Sequence, residues 1–260
     1  MATTYVSWTG VGRLFEDPST FALIAGTLFL SGLVQGTIGF GFGLVSMAIL
    51  PQLLGVKFAV PFVSVFCMCV QIYLLTRLWN YLKWSLLKPM VIGALLGTPL
   101  GIYALKGLSP QILMLTLGFI LTAYALMSFR TKKEETRELA TGWGLAAGFT
   151  GGALGGAFNT GGPPAVMYVS AQPWSKNQTT ATLQGFFCAI NGVQIIGYSL
   201  TGLITQETLR ADLIFIGFVL AGTYIGSRLY DRMNQALFER VMMLGILALG
   251  LSYILRNIGA

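Results

Sequence analysis

Gly148-Phe-Thr-Gly151-Gly-Ala-Leu-Gly155-Gly-Ala-Phe158-Asn159-Thr160-Gly161-Gly162-Pro163-Pro164 interrupts a hydrophobic run over residues 140–170. An earlier run, 21–50, carries Gly36-Thr37-Ile-Gly39-Phe40-Gly41-Phe42-Gly43, with Pro51 following. Lipid offers no hydrogen bonds, so loosened backbone at membrane depth must face protein or a watery cavity. Two such breaks at corresponding places in two halves of a chain point to a transporter's binding site.

Composition sets the class. Of 260 residues, 55% are hydrophobic and only 10% charged, with a mean hydropathy of +0.73. A soluble domain carries about 25% charged residues. The chain reads as an all-α integral membrane protein, since the alternating pattern of a membrane β-barrel is not seen. The run that starts after Thr20 is too long for a cleavable signal peptide. The net charge of +7 comes from Lys and Arg in short loops beside apolar spans, as the positive-inside rule expects, and does not imply nucleic acid. Cys67, Cys69 and Cys188 all lie within apolar spans, so no disulfide framework is expected. Cys67 and Cys69 point to different helix faces, which disfavours a metal site. They read as core residues, with the handling of reactive sulfur as the alternative.

About eight hydrophobic segments are expected, at 21–50, 58–79, 84–105, 110–129, 140–170, 178–202, 209–230 and 235–257. A charged stretch at 131–138 divides them into an N-terminal repeat, 1–130, and a C-terminal repeat, 139–260, together forming one membrane domain. Gly36-x-x-Gly39 matches Gly152-x-x-Gly155, Gly97-Thr-Pro-Leu-Gly101 matches Gly222-Thr-Tyr-Ile-Gly226, and Gln71-Ile72 lies near the position of Gln194-Ile195. Ordered matches of this kind indicate a duplication of four segments. The first segment of each repeat is about 30 residues long where about 20 suffice to span. Each is therefore one long broken helix or a re-entrant pair of half-helices. If all eight segments cross, Lys and Arg divide ten to six; if the long ones re-enter, the repeats become inverted and the division is eleven to five. The inverted arrangement is preferred, with both termini on the poorer, non-cytoplasmic side.

The candidate site follows from the breaks. Pairs such as Gly32/Gly36 and Gly97/Gly101 suit close helix packing. Gly161-Gly-Pro-Pro cannot continue a helix, but Pro163 or Pro164 can open a new one. Asn159, Thr160, Gly161 and Gly162 would then lie beside a helix N-terminus, whose partial positive charge suits an anion. Gln35, Gly36, Thr37, Gly39, Gly41 and Gly43 supply the matching groups of the first break. Gln184, Cys188 and Asn191 share one helix face, which Gln194 extends, and Ser64, Cys67 and Gln71 form a parallel stripe. These polar groups either link helices or line a cavity. Phe40, Phe42 and Phe158 either gate the passage or pack beside it.

Absences narrow the function. There is no histidine, and the nine carboxylates fall in loops or near span ends, so no buried carboxylate relay is evident. Neither a nucleophile–base pair nor a phosphate-binding loop is present. The expectation is a protein that is not an enzyme or an ATP-driven pump, with no cofactor and no metal.

The paired glycine-rich motifs ending in proline, Gly36–Pro51 and Gly152–Pro164, resemble those of the sulfite exporter TauE/SafE family, over nearly the whole chain from Thr20 to Arg256. The first motif has Gly39-Phe-Gly41-Phe-Gly43 where that family usually carries three consecutive glycines, and the second places Phe158-Asn159-Thr160 before its Gly-Gly. The resemblance implies export of sulfite or an organosulfonate such as sulfoacetate across the cell (inner) membrane. The expected partners are a small anion and the lipid bilayer, with a homodimer allowed for and nucleic acid not. Backbone amides at both breaks, with Gln71, Gln184, Asn191 and Gln194 as neutral donors, would hold the anion, and rocking of the halves would give alternating access. Alternatives are an anion channel, an uptake transporter for an inorganic sulfur anion, and a membrane scaffold that transports nothing.

Overall fold

A long apolar chain in lipid must satisfy its backbone internally, and helices do so within one segment. The computed structural model describes residues 17–130, 139–229 and 235–258, and every regular element among them is helical. In chain order these are α1 (Pro18–Ile38), α2 (Phe42–Leu54), α3 (Val56–Leu78) with a short 3-10 extension (Trp79–Tyr81), α4 (Trp84–Gly107), α5 (Pro110–Arg130), α6 (Thr141–Phe158), α7 (Gly162–Ser170), α8 (Lys176–Leu200), α9 (Gln206–Leu229) and α10 (Gln235–Ile258). Five of these, α1, α3 with its extension, α4, α5 and α9, are long and apolar enough to cross a membrane. Glycines dilute the hydropathy of α6, and Gln184, Asn191 and Gln194 that of α8. The charged stretch at 131–138 lies outside the described residues.

The two long hydrophobic runs are each divided. Asp17 starts α1 by accepting from the Ser19 and Thr20 amides, both at 3.2 Å. At the other end, Gly39 turns left-handed (φ +90°), and its N–H closes on the Gln35 carbonyl at 2.8 Å. Gly41 is left-handed as well (φ +110°), and two such residues in three stop the helix where a side chain would resist. Pro51, expected to close this break, lies instead inside α2. The Met47 carbonyl that Pro51 leaves without a donor is approached by the Tyr253 hydroxyl at 3.5 Å. In the second run Asn159 is left-handed (φ +54°), and its N–H closes on the Gly155 carbonyl at 2.7 Å. Gly162 then opens α7, with proline in its first turn as expected.

Glycine faces fix how the helices run. Along α4, Gly93, Gly97 and Gly101 meet the backbone of Leu145, Phe149 and Ala153. In return, Gly148, Gly152 and Gly156 of α6 meet Met90, Ala94 and Thr98. A Cβ on Gly152 would stand 2.8 Å from the Ala94 Cα, so these positions exclude side chains. The numbers rise together, and α4 and α6 run parallel. Gly32 and Gly36 of α1 meet Val219 and Thr223 of α9, while Gly222 and Gly226 meet Phe29 and Leu33, another parallel pair. The remaining helices pair as α3 with α8 and α5 with α10.

Two further relations give the course of the broken segments. Gly151 lies beside Phe186 and Gly155 beside Ile190, and the Tyr198 hydroxyl donates to the Gly156 carbonyl at 2.7 Å. Hence α6 and α8 point the same way, and α7 returns between them. The Phe62 and Phe215 rings lie 6.1 Å apart and Arg77 Nη1 donates to Ser227 Oγ at 3.2 Å, so α3 runs parallel to α9 and therefore to α1. α2 returns between α1 and α3. Against α8, α3 is antiparallel: Gln71 meets Asn191, while Leu74 and Arg77 share a cavity wall with Asn177 and Thr180.

Candidate functional site

The breaks meet each other. Gly43 approaches the Asn159 carbonyl so closely that no side chain fits between them. Around this contact the first turn of α2 (Gly41–Leu44) and the start of α7 (Gly161, Gly162) border a small cavity of about 40 Å³. Its remaining wall is Gln35, Cys67, Gln71, Gly155, Asn159, Phe187, Ile190, Asn191 and Gln194. Among the described residues no charged side chain lines it.

Two helix N-termini therefore face one uncharged cavity, each carrying roughly half a positive charge on amides that lack partners within the helix. Gln35 Oε1 accepts from the Phe42 amide at 2.9 Å. Gly43 and Leu44 follow in the same first turn, at the cavity wall. Pro163 and Pro164 carry no amide hydrogen, which leaves Gly161 and Gly162 as the amides at the mouth of α7.

The side-chain amides are incompletely satisfied. Asn191, 5% exposed, donates from Nδ2 to the Phe187 carbonyl at 2.9 Å, but its Oδ1 has no partner. Gln71, its amide assigned so that nitrogen donates to the Cys67 and Phe187 carbonyls (3.2 Å each), accepts from Asn191 Nδ2 at 3.1 Å. Asn159 Nδ2 donates to the Val60 carbonyl at 2.6 Å, and Oδ1 is unpartnered. Gln194, 1% exposed, has neither polar atom at hydrogen-bonding geometry, although its amide lies beside the Tyr198 hydroxyl. A buried polar group without a partner costs about 1–3 kcal/mol. Such atoms gathered on one cavity point to a polar occupant.

Other expected site residues do different work. Gln184 donates to the Gly39 carbonyl and accepts from Gln35 Nε2 at 3.2 Å. It braces the first break and does not line the cavity, contrary to its expected place as a donor there. Thr37 donates to the Leu33 carbonyl at 2.7 Å and reaches the Gly226 carbonyl at 3.4 Å, joining α1 to α9. Gly36 and Gly39 border a second cavity, described below. Thr160 is fully buried with its hydroxyl unpartnered, outside the cavity wall. Of the three phenylalanines, Phe42 lines the cavity, Phe40 lies near Gly162, and Phe158 belongs to the hydrophobic core. Leu44, Gly155, Phe187 and Ile190 join the wall unforeseen, because apolar residues in an apolar span carry no signal of their own; Cys67, read as core, also faces it. Asp212 corrects another expectation. It is 5% exposed within α9, with both carboxylate oxygens unpartnered, and does not belong to the cavity wall.

A profile of the family described as sulfite exporter TauE/SafE matches residues 24–253. The chain is also 24% identical, over 241 residues, to a protein of Cupriavidus necator named as a probable sulfite/organosulfonate exporter TauE. That alignment covers 91% of this chain and 92% of the other. No solved structure matches the chain.

Proposed function

The chain belongs to the sulfite exporter TauE/SafE family, a family of membrane transporters, and from that premise we propose that it exports a small sulfur-containing anion, sulfite or an organosulfonate. One observation carries this reading: two half-helix N-termini converge on an uncharged cavity that the partnerless Gln194 amide also lines. The helix dipoles, the free amides of the first turns and the one unpartnered side-chain donor, Gln194 Nε2, attract an anion without the ion pair that would hinder its release, while the Asn159 and Asn191 oxygens can only accept. The cavity is complete within one chain, so the reading requires no second copy. The proposed architecture is an inverted repeat, 1–130 and 139–260, with re-entrant first segments. The parallel courses of α1 with α3 and of α6 with α8 support it, as does the reciprocal pairing of α1 with α9 and α4 with α6. Rocking of one half against the other would expose the cavity alternately to each side.

Helix directions also orient the export reading. Assigned to the helix ends that they adjoin, the 16 Lys and Arg divide eleven to five, and the richer side holds the end of α3 and the start of α8. By the positive-inside rule that side faces the cytoplasm of the inner membrane. An inside-negative voltage drives each negative charge outward by about 2.3 kcal/mol per 100 mV, so export needs no coupled carboxylate.

The test is sulfite and sulfoacetate flux in proteoliposomes. Asn191→Leu with Gln194→Leu should abolish saturable flux at a cost of about 1–3 kcal/mol in stability, because Gln194 has no partner to lose but Asn191 leaves the buried Gln71 oxygen without its donor. Wild-type flux from the double variant would overturn the site. Flux that never saturates would identify a channel instead.

A further inference from the structure

The last turn of α1 separates the central cavity from a second one. Gln35 and Gly41 face the former, while Gly36 and Gly39 face a recess of about 320 Å³, bordered also by Leu74, Arg77, Leu78, Asn177, Thr180 and Ser227. Gln184, clamped on the Gly39 carbonyl and on Gln35, completes the partition. The recess lies at the end of α3 and the start of α8, on the side rich in Lys and Arg.

Arg77 dominates its chemistry. The guanidinium is exposed, and Nη1 is held by Ser227 Oγ at 3.2 Å and by the Tyr73 hydroxyl at 3.3 Å. Among the described residues no carboxylate pairs with it. An arginine has five N–H donors, and these two neutral contacts leave a fixed cation facing the recess with donors to spare. Asn177 and Thr180 stand across from it on α8.

We propose that this recess is a second binding site, which captures the oxyanion from the cytoplasmic side before it enters the central cavity, with Arg77 as the receptor cation. The inference rests on the transport reading and assigns a loading step to it. A fixed positive charge at the mouth raises the local anion concentration, and passage inward requires Gln184 to release Gly39. The central cavity, uncharged, then accepts the anion from a site that is weak because it is wet.

Sulfite flux in oriented proteoliposomes tests the site. Arg77→Gln should raise the half-saturating sulfite concentration about tenfold for loading from the basic face, the lower end of electrostatic focusing effects. Loading from the opposite face should keep its wild-type value. Arg77→Lys should restore most of the loss, since it keeps the charge. Raising ionic strength from 10 to 150 mM shortens screening from about 30 Å to about 8 Å, and should weaken loading more in the wild type than in Arg77→Gln, which keeps only the other cations of that face. Wild-type loading by Arg77→Gln, or an equal defect from both faces that lysine does not rescue, would overturn the loading site. If the wild type carries no sulfite in either direction, the transport reading itself fails; if the wild type transports and Arg77→Gln is normal, only the loading site does.

Discussion

At Asn159 the chain uses a left-handed backbone that glycine supplies at the first break. Gly39 and Asn159 both close on the carbonyl four residues earlier, but only Asn159 brings a side chain, and it is the one non-glycine residue with positive φ among the described residues. Asparagine tolerates this conformation because its short amide can bond locally; here Nδ2 reaches Val60 instead. Asn159→Gly should therefore keep the turn, while Asn159→Ala should lose about 1–2 kcal/mol to backbone strain. Thermal unfolding in detergent reads the difference, and an alanine variant as stable as the glycine variant would contradict it. The sequence marked Asn159 as a candidate site residue but not as a helix stop, because a dihedral angle has no signature in an isolated asparagine.

Between elements, the glycine rows decide which helices pair. Gly217 and Gly222 lie on the same helix, α9, yet a Cβ at Gly217 meets nothing within 4 Å while one at Gly222 strikes the Phe29 backbone. Gly217→Ala should be neutral or gain about 0.5–1 kcal/mol. Gly222→Ala should lose about 1–3 kcal/mol by forcing α1 and α9 apart. Equal melting temperatures for the two variants would show that the row is not a packing seam. The glycine pairs were legible as packing motifs, but their register was not. Sequence matching sets Gly36 opposite Gly152, whereas the ends of the helices at Gly39 and Asn159 set Gly36 opposite Gly156, one helical turn later. A repeat of glycines every four residues matches itself equally well after a shift of one turn, so only the helix ends fix the alignment.

Taken whole, the molecule places α5 and α10 against each other and threads the two breaks toward one centre. The parallel course of α6 and α8 and the eleven-to-five charge division predict that both chain ends lie on the non-cytoplasmic side. A reporter that fluoresces only in the cytoplasm should stay dark when fused after Ala260, and should glow when inserted at 131–138. The reverse pattern would reject the inverted topology. Charge counting alone separated the two arrangements by a single residue; the helix directions add geometric support for the inverted one, which the reporters test.

Composition by itself determined that the chain is helical and bound to lipid, and glycine marked where α1 stops and, with proline, where α7 begins. These outcomes depend on solvation and on dihedral limits within a few residues, which sequence records directly. Tertiary structure decided that α2 and α7 turn back, that Gln184 braces a break, and that Asn191 and Gln194 face the cavity. Such outcomes depend on which of several polar residues meets a partner from the other half of the chain. Gln184 meets Gly39 across 145 positions, and nothing local to either residue selects the other.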